Sequence, residues 1–126
     1  MDPYNQISNK INKIKADDGI TPKNKLLLEK FRDYCLANSL SVRRILKYLH
    51  YLSVHAKILG KDFDSATKED IQLLVAEIEK KEWAEWTKYD NKMMIKTFYK
   101  WLEGDGEAFP KKVAWLKAKV KSNRLI

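Results

Sequence analysis

The sequence predicts an all-α protein, a small orthogonal bundle of about five to six helices. Three observations carry this. Apolar residues recur at three- and four-residue spacing along the chain, and no segment sustains the alternation of a strand. Glycine and proline are scarce for a turn-rich β fold, with four Gly and three Pro in 126 residues. Helix-start signals stand just ahead of most of the periodic runs. A chain of this length fits one domain and can bury a core without disulfides or metals.

The elements follow in order. Ile7, Ile11 and Ile14 make a thin stripe on a short helix over 4–15, and Asp17-Asp18-Gly19 breaks it. Thr21-Pro22 reads as N-cap and first helical position of a helix to about Ala37. Its inward residues are Leu27, Leu28, Phe31 and Cys35, the cysteine as a small core residue. Ser41 caps a third helix ending at Gly60, with Val42, Ile45, Leu46, Leu49, Leu52, Ser53, Ala56 and Leu59 inward. Thr67-Lys68-Glu69-Asp70 is a capping box opening a helix to about Lys81, with Ile71, Leu74, Val75 and Ile78 inward. Thr87-Lys88-Tyr89-Asp90 reads as a second box, opening a helix to about Glu103 with Met94, Ile95, Phe98, Trp101 and Leu102 inward. Gly104-Asp105-Gly106 ends it, and after Pro110 a last basic helix is expected over 111–122.

Composition excludes several classes. A single cysteine rules out an internal disulfide and a cysteine zinc cluster. No apolar run is long enough to span a membrane, and the start lacks the pattern of a signal peptide, so a cytoplasmic protein is expected. His50 and His55 are five apart, not the i, i+4 pair that grips zinc, and are expected at the surface. Glu77, Glu79, Glu82 and Glu85 read as a solvated run rather than an acid–base pair. There is no glycine-rich phosphate loop. No catalytic residue, metal or cofactor is expected.

The net charge is +8, which suits a polyanionic partner. It is segregated by helix. Residues 40–60 carry Arg43, Arg44, Lys47 and Lys57 with no acid, 61–85 have a net charge of −4, 86–102 of +3 and 108–126 of +6. On a helical wheel Arg43, Lys47, His50 and Val54 lie opposite the core stripe, flanked by Arg44 and Tyr51. Lys88, Lys92 and Lys96 are likewise expected opposite the core, with Tyr89, Tyr99 and Lys100 alongside. Two basic ridges with interleaved tyrosines suit phosphate contact and groove entry. Any helix can solvate its outer face with lysine. However, Arg43, Arg44 and Lys88 stand in expected first turns, where the macrodipole disfavours cations by about 0.3–1 kcal/mol each. With Ser41 and Thr87 as caps, those ends suit phosphate. Arg43, Arg44 or Asn91 could read base edges, although Asn91 sits nearer the core side.

Four segments then resemble a known family. Ser41-Val42-Arg43-Arg44-Ile45-Leu46-Lys47-Tyr48 resembles the Ser-x-x-Thr-Ile-x-x-Tyr helix start of the tyrosine recombinase core-binding domain, with Arg44 in place of the usual threonine. Gly60 to Ile71 is similar to that domain's third-helix entry. Glu85-Trp86-Thr87-Lys88 through Lys96-Thr97-Phe98-Tyr99-Lys100-Trp101-Leu102 resembles its fourth helix. Trp115-Leu116-Lys117 to Lys121-Ser122-Asn123-Arg124 is similar to the basic connector of archaeal phage-type integrases. The resemblance spans about 20–126.

It implies a sterile-alpha-motif-like core-binding bundle over 20–108, an N-terminal helix or arm over 1–19, and a basic helix or linker over 109–126. It also implies that the helices at 41–59 and 87–103 cross the major groove of double-stranded DNA. The candidate contacts are Ser41, Arg43, Arg44, Lys47, His50, Thr87, Lys88, Asn91, Lys92, Lys96 and Lys100. The fragment is not itself expected to be an enzyme. Its implied partners are a covalently linked catalytic domain in a parent recombinase and other recombinase subunits in a synapse, in the cytoplasm at the nucleoid. The alternative is a helical protein-interaction module using the tryptophan-rich end, or a general polyanion or RNA binder.

Overall fold

Three hydroxyl side chains set where helices begin. In the computed structural model, which describes residues 2–104 and 108–119, the Asn24 N–H donates to Thr21 Oγ1 at 3.1 Å and the Arg44 N–H to Ser41 Oγ at 3.2 Å. The Asp70 N–H donates to Thr67 Oγ1 at 3.2 Å, and Asp70 Oδ2 accepts the Thr67 N–H in return at 2.9 Å, completing the capping box. These residues open α2 (Pro22–Ala37), α3 (Val42–Leu59) and α4 (Lys68–Lys80). They are preceded by α1 (Tyr4–Ala16) and followed by α5 (Glu85–Glu103) and α6 (Lys111–Ala114). No strand occurs among the described residues. The protein is a small all-α bundle, as its periodicity predicts, built as two compact units, Met1–Ala66 and Thr67–Ile126.

In the first unit α1 packs on α3 and α2, and α2 packs on α3. Ile7, Ile11 and Ile14 of α1, Leu28, Phe31 and Cys35 of α2, and Ile45, Leu49 and Leu52 of α3 are all buried. Each such aliphatic or aromatic side chain contributes about 1.5–3 kcal/mol by leaving water. The N-terminal helix is therefore part of a core. Gly60 ends α3 in the left-handed region at φ 69°, a conformation that favours glycine.

Asn24, fully buried near the start of α2, ties the following loop to the unit. Its Nδ2 donates to the Lys61 carbonyl at 2.9 Å, and its Oδ1 accepts the Phe63 N–H at 2.8 Å. Thr21 Oγ1 also donates to Asp62. The loop can thus bury Phe63 and Ala66 without orphaning its backbone.

In the second unit α4, α5 and α6 all contact one another. Ile71, Leu74 and Ile78 of α4 are buried, as are Ile95, Phe98 and Tyr99 of α5, Val113 of α6, and Leu116. A Cβ on Gly104, which ends α5, would stand 2.6 Å from the Lys100 carbonyl oxygen, so only glycine fits this close passage.

Two expectations are corrected here. Helix α5 begins at Glu85, and its N-cap is Ala84, with no side-chain hydrogen bond. Thr87 is inside the first turn and is not a cap, because the Lys88 N–H is already bonded to the Ala84 carbonyl at 3.1 Å. The last helix is also shorter than 111–122. It stops at Ala114, where Trp115 Nε1 donates to the Lys112 carbonyl and the chain leaves helical geometry to bury Leu116. Asp105, Gly106, Lys121 and Arg124 lie outside the described residues.

Candidate nucleic-acid interface

Helix α3 presents the basic face that its spacing predicts. Ile45, Leu49, Leu52 and Ala56 turn inward, which leaves Arg43, Arg44, Lys47 and His50 exposed and Val54 and Tyr51 half-buried. Ser41, also exposed, holds the helix start. Neither arginine side chain has a carboxylate partner among the described residues. The Lys47 ammonium stands 5.7 Å from the Tyr51 ring centroid, and the His50 and Tyr51 rings lie 6.1 Å apart. A guanidinium in the first turn of a helix opposes the macrodipole, so folding stability alone does not account for Arg43 and Arg44.

The same row continues to Lys57, two turns beyond His50. Lys57 Nζ lies 3.1 Å from Asp17 Oδ2 at the end of α1. Burial holds the His50 imidazole below its usual 6.5, and the charges of Lys10 and Lys57 push it further. The Lys10 ammonium is lowered too, by burial first and then by Lys13 and Lys57, against an opposing pull from Asp17. Positive charge is thus concentrated where α1 meets α3.

The ridge on α5 is different. Lys88 and Lys92 are only 8% and 7% exposed, and Asn91 is 1% exposed. Lys88 Nζ donates to the Glu79 carbonyl at 2.9 Å, near the C-terminus of α4, and stands 3.8 Å from Glu85. Such an ammonium satisfies a carbonyl that the helix leaves open and complements the negative end of its dipole. Lys92 Nζ pairs with Glu79 Oε2 at 3.1 Å. Lys96, half-buried, donates to the Leu116 carbonyl at 2.7 Å and stands 4.6 Å from the Phe109 ring centroid, with Lys100 5.1 Å from the same centroid. Asn91 Nδ2 donates to the Thr87 carbonyl at 2.8 Å.

The expectation that Lys88, Lys92 and Lys96 lie opposite the core is therefore overturned. The buried face of α5 runs through Lys88, Asn91, Lys92, Ile95 and Tyr99, while Trp101 and Leu102 are only half-buried. The lysine stems lie along the apolar contact and their ammonium groups reach carbonyl and carboxylate oxygens at its edge. Tyr99, expected beside the ridge, is core. His55, expected at the surface, is fully buried in α3, because α1 and α2 both pack on that helix and widen its inward face. Glu79 and Glu85, read as solvated, are the carboxylates that these lysines meet.

No protein-family model, curated protein or solved structure matches the chain.

Among the described residues no group of three or more His, Cys, Asp or Glu side chains is placed to hold a metal ion. The buried Cys35 thiol is pushed up to about 11, away from a nucleophilic thiolate. No helix among the described residues is long and apolar enough to cross a membrane. Among the described residues of the second unit, the most exposed large apolar side chains are Leu73, 67% exposed, and Trp86, 66% exposed and edge-on to Tyr89.

Sequence reasoning missed two residues. Asn24 gave no signal, since its partners are 37 and 39 residues away. Lys10 did give one: it stands three residues after Ile7 and one before Ile11, at the margin of the buried stripe of α1.

Proposed function

We propose that this chain is a duplex-DNA-binding module of the kind that tyrosine recombinases and phage-type integrases use to hold their core sites, with α3 as the helix that meets the DNA. One observation carries the reading: the outward row of α3 is exposed, with Arg43 and Lys47 beside Arg44 as its cations and the His50 imidazole continuing it. Ser41 and the first-turn N–H groups suit a phosphate, and the two guanidinium groups suit either phosphates or guanine edges. The resemblance of residues 41–48 to a recombinase helix start supports the same face.

The contribution of α5 changes under this reading. Lys88 and Lys92 tie α5 to Glu79 of α4, the buried Asn91 bonds back to Thr87 within α5, and Lys96 and Lys100 sit over Phe109, so the DNA-facing role falls on α3. The module would position duplex for a catalytic domain elsewhere in a parent recombinase and act at the nucleoid. Most contacts would go to phosphate, and affinity on arbitrary duplex would lie in the range of about 10⁻⁴–10⁻⁶ M.

The test is an NMR titration with a short duplex at two salt concentrations. Amides of Ser41 to Lys47 should shift together, and the shifts should fade as salt rises. A second reading, a helical protein-interaction module, has one observation of its own, the exposed Trp86 beside Tyr89. Silence at α3 with a response to duplex confined to Trp86, or with none, would favour it. Equal responses to duplex, single strands and RNA would favour a general polyanion binder.

A further inference from the structure

We propose that Lys10 of α1 and His50 and Lys57 of α3 form a second phosphate-contacting subsite, so that the DNA backbone runs along the length of α3 rather than touching its first turn alone. The inference rests on the reading of α3 as the DNA-facing helix and adds α1 to the interface.

Geometry is the first support. Arg43, Lys47, His50, Val54 and Lys57 recur at three- and four-residue spacing, which places them in one row on a helix. Fourteen residues separate the ends, a length of about 21 Å at 1.5 Å per residue. That length is about six phosphate steps of one DNA strand at 3.4 Å each. Because α1 packs on α3, Lys10 is brought to the far half of this row, within electrostatic reach of both His50 and Lys57.

The second support is that stability does not explain the cluster. Lys57 alone has a structural reason to be there, since it stands in the last turn of α3 beside the Asp17 carboxylate. Lys10 and His50 lie near like charges and are partly stripped of water, and at Lys10 the Asp17 carboxylate offsets this only in part. A polyanion reverses that penalty, because a phosphate meets the partly desolvated Lys10 ammonium and Lys57, and the His50 imidazole can donate an N–H to it. Asp17 is the carboxylate of this group, and a phosphate on Lys57 would compete with it.

The experiment is fluorescence anisotropy of a labelled 20-base-pair duplex with the full chain, at several salt concentrations, using Lys10→Gln, His50→Asn, their double variant and Asp17→Asn. Thermal melting of each variant accompanies the titrations. The double variant should bind about five- to tenfold more weakly at low salt, with a salt slope smaller by about 1. Asp17→Asn keeps an oxygen for the Gly19 N–H that Asp17 now accepts. It should bind two- to threefold more tightly, a gain that a damaged fold cannot mimic. Unchanged affinity and slope in these variants, while Arg43→Gln weakens binding, would overturn the subsite and leave α3's first turns as the interface. Failure of the unaltered chain to bind duplex would overturn both.

Discussion

Lys92 on α5 and Glu79 on α4 meet at 3.1 Å, with the lysine almost wholly buried and the carboxylate partly open to water. One turn earlier, Lys88 reaches the carbonyl of the same Glu79. Two cations that look like a solvated ridge in the sequence instead tie the acidic helix to its basic neighbour. The acidic α4 and the basic α5 therefore meet within the second unit, which is a packing role. Lys92→Ala should lower stability by about 1–2 kcal/mol, less than for a fully buried pair because Glu79 is partly solvated. Urea denaturation of Lys92→Ala, Glu79→Gln and the double variant should show a coupling between the two sites. Duplex binding by α3 should be unaffected in Lys92→Ala.

Arg43 and Arg44 should behave in the opposite way. Replacing both with Gln should weaken duplex binding and lower the slope of log K against log salt by about 2. Stability should hold or rise slightly, because each removed cation relieves about 0.3–1 kcal/mol of unfavourable interaction with the α3 dipole. Paired anisotropy and thermal melts separate the two effects. A loss of both affinity and stability would assign the arginines to packing.

Asn24→Ala should be among the most damaging substitutions in the first unit. It removes a donor from the Lys61 carbonyl and leaves the Phe63 N–H without its acceptor. The expected cost is about 2–3 kcal/mol, two hydrogen bonds including one buried orphan. Asn24→Asp keeps an acceptor for Phe63 but turns a buried carboxylate oxygen toward the Lys61 carbonyl, so it should lose at least as much at neutral pH and recover as the carboxyl protonates. Urea midpoints of the two variants give the comparison.

His50 makes a signed prediction with pH. Its folded value is lowered from 6.5 by burial, then by Lys10 and Lys57. The unfolded chain therefore takes up its proton first as pH falls, and stability declines below about 6.5 until the folded imidazole also protonates. Above that pH the contribution is fully present. His50→Gln should flatten this part of the stability profile, measured by urea denaturation between pH 5 and 8. A decline identical in the variant would place its origin in other groups.

The sequence by itself determined the fold class and most helix starts, because those are local physics. Thr21, Ser41 and Thr67 cap the helices that follow them within three residues, and the stripes of α1, α2 and α4 bury the residues that their spacing indicates. The outward row of Arg43, Lys47 and His50 on α3 was equally legible, since Ile45, Leu49 and Leu52 mark the inward side, although Val42, Leu46 and Leu59, also expected inward, are only half-buried. Tertiary structure decided the rest. A lysine on a wheel looks the same whether it faces water or lays its stem along a neighbour, and only the packing of α4 and the 108–119 segment on α5 settled that Lys88 and Lys92 turn inward. His55 is buried because two helices, not one, pack on α3. Asn24 and Lys10 acquire their surroundings from partners distant in the chain, at Lys61 and Phe63 and at His50 and Lys57. Spacing along the chain records which residues share a face. What covers that face depends on contacts between remote segments, which no local pattern encodes.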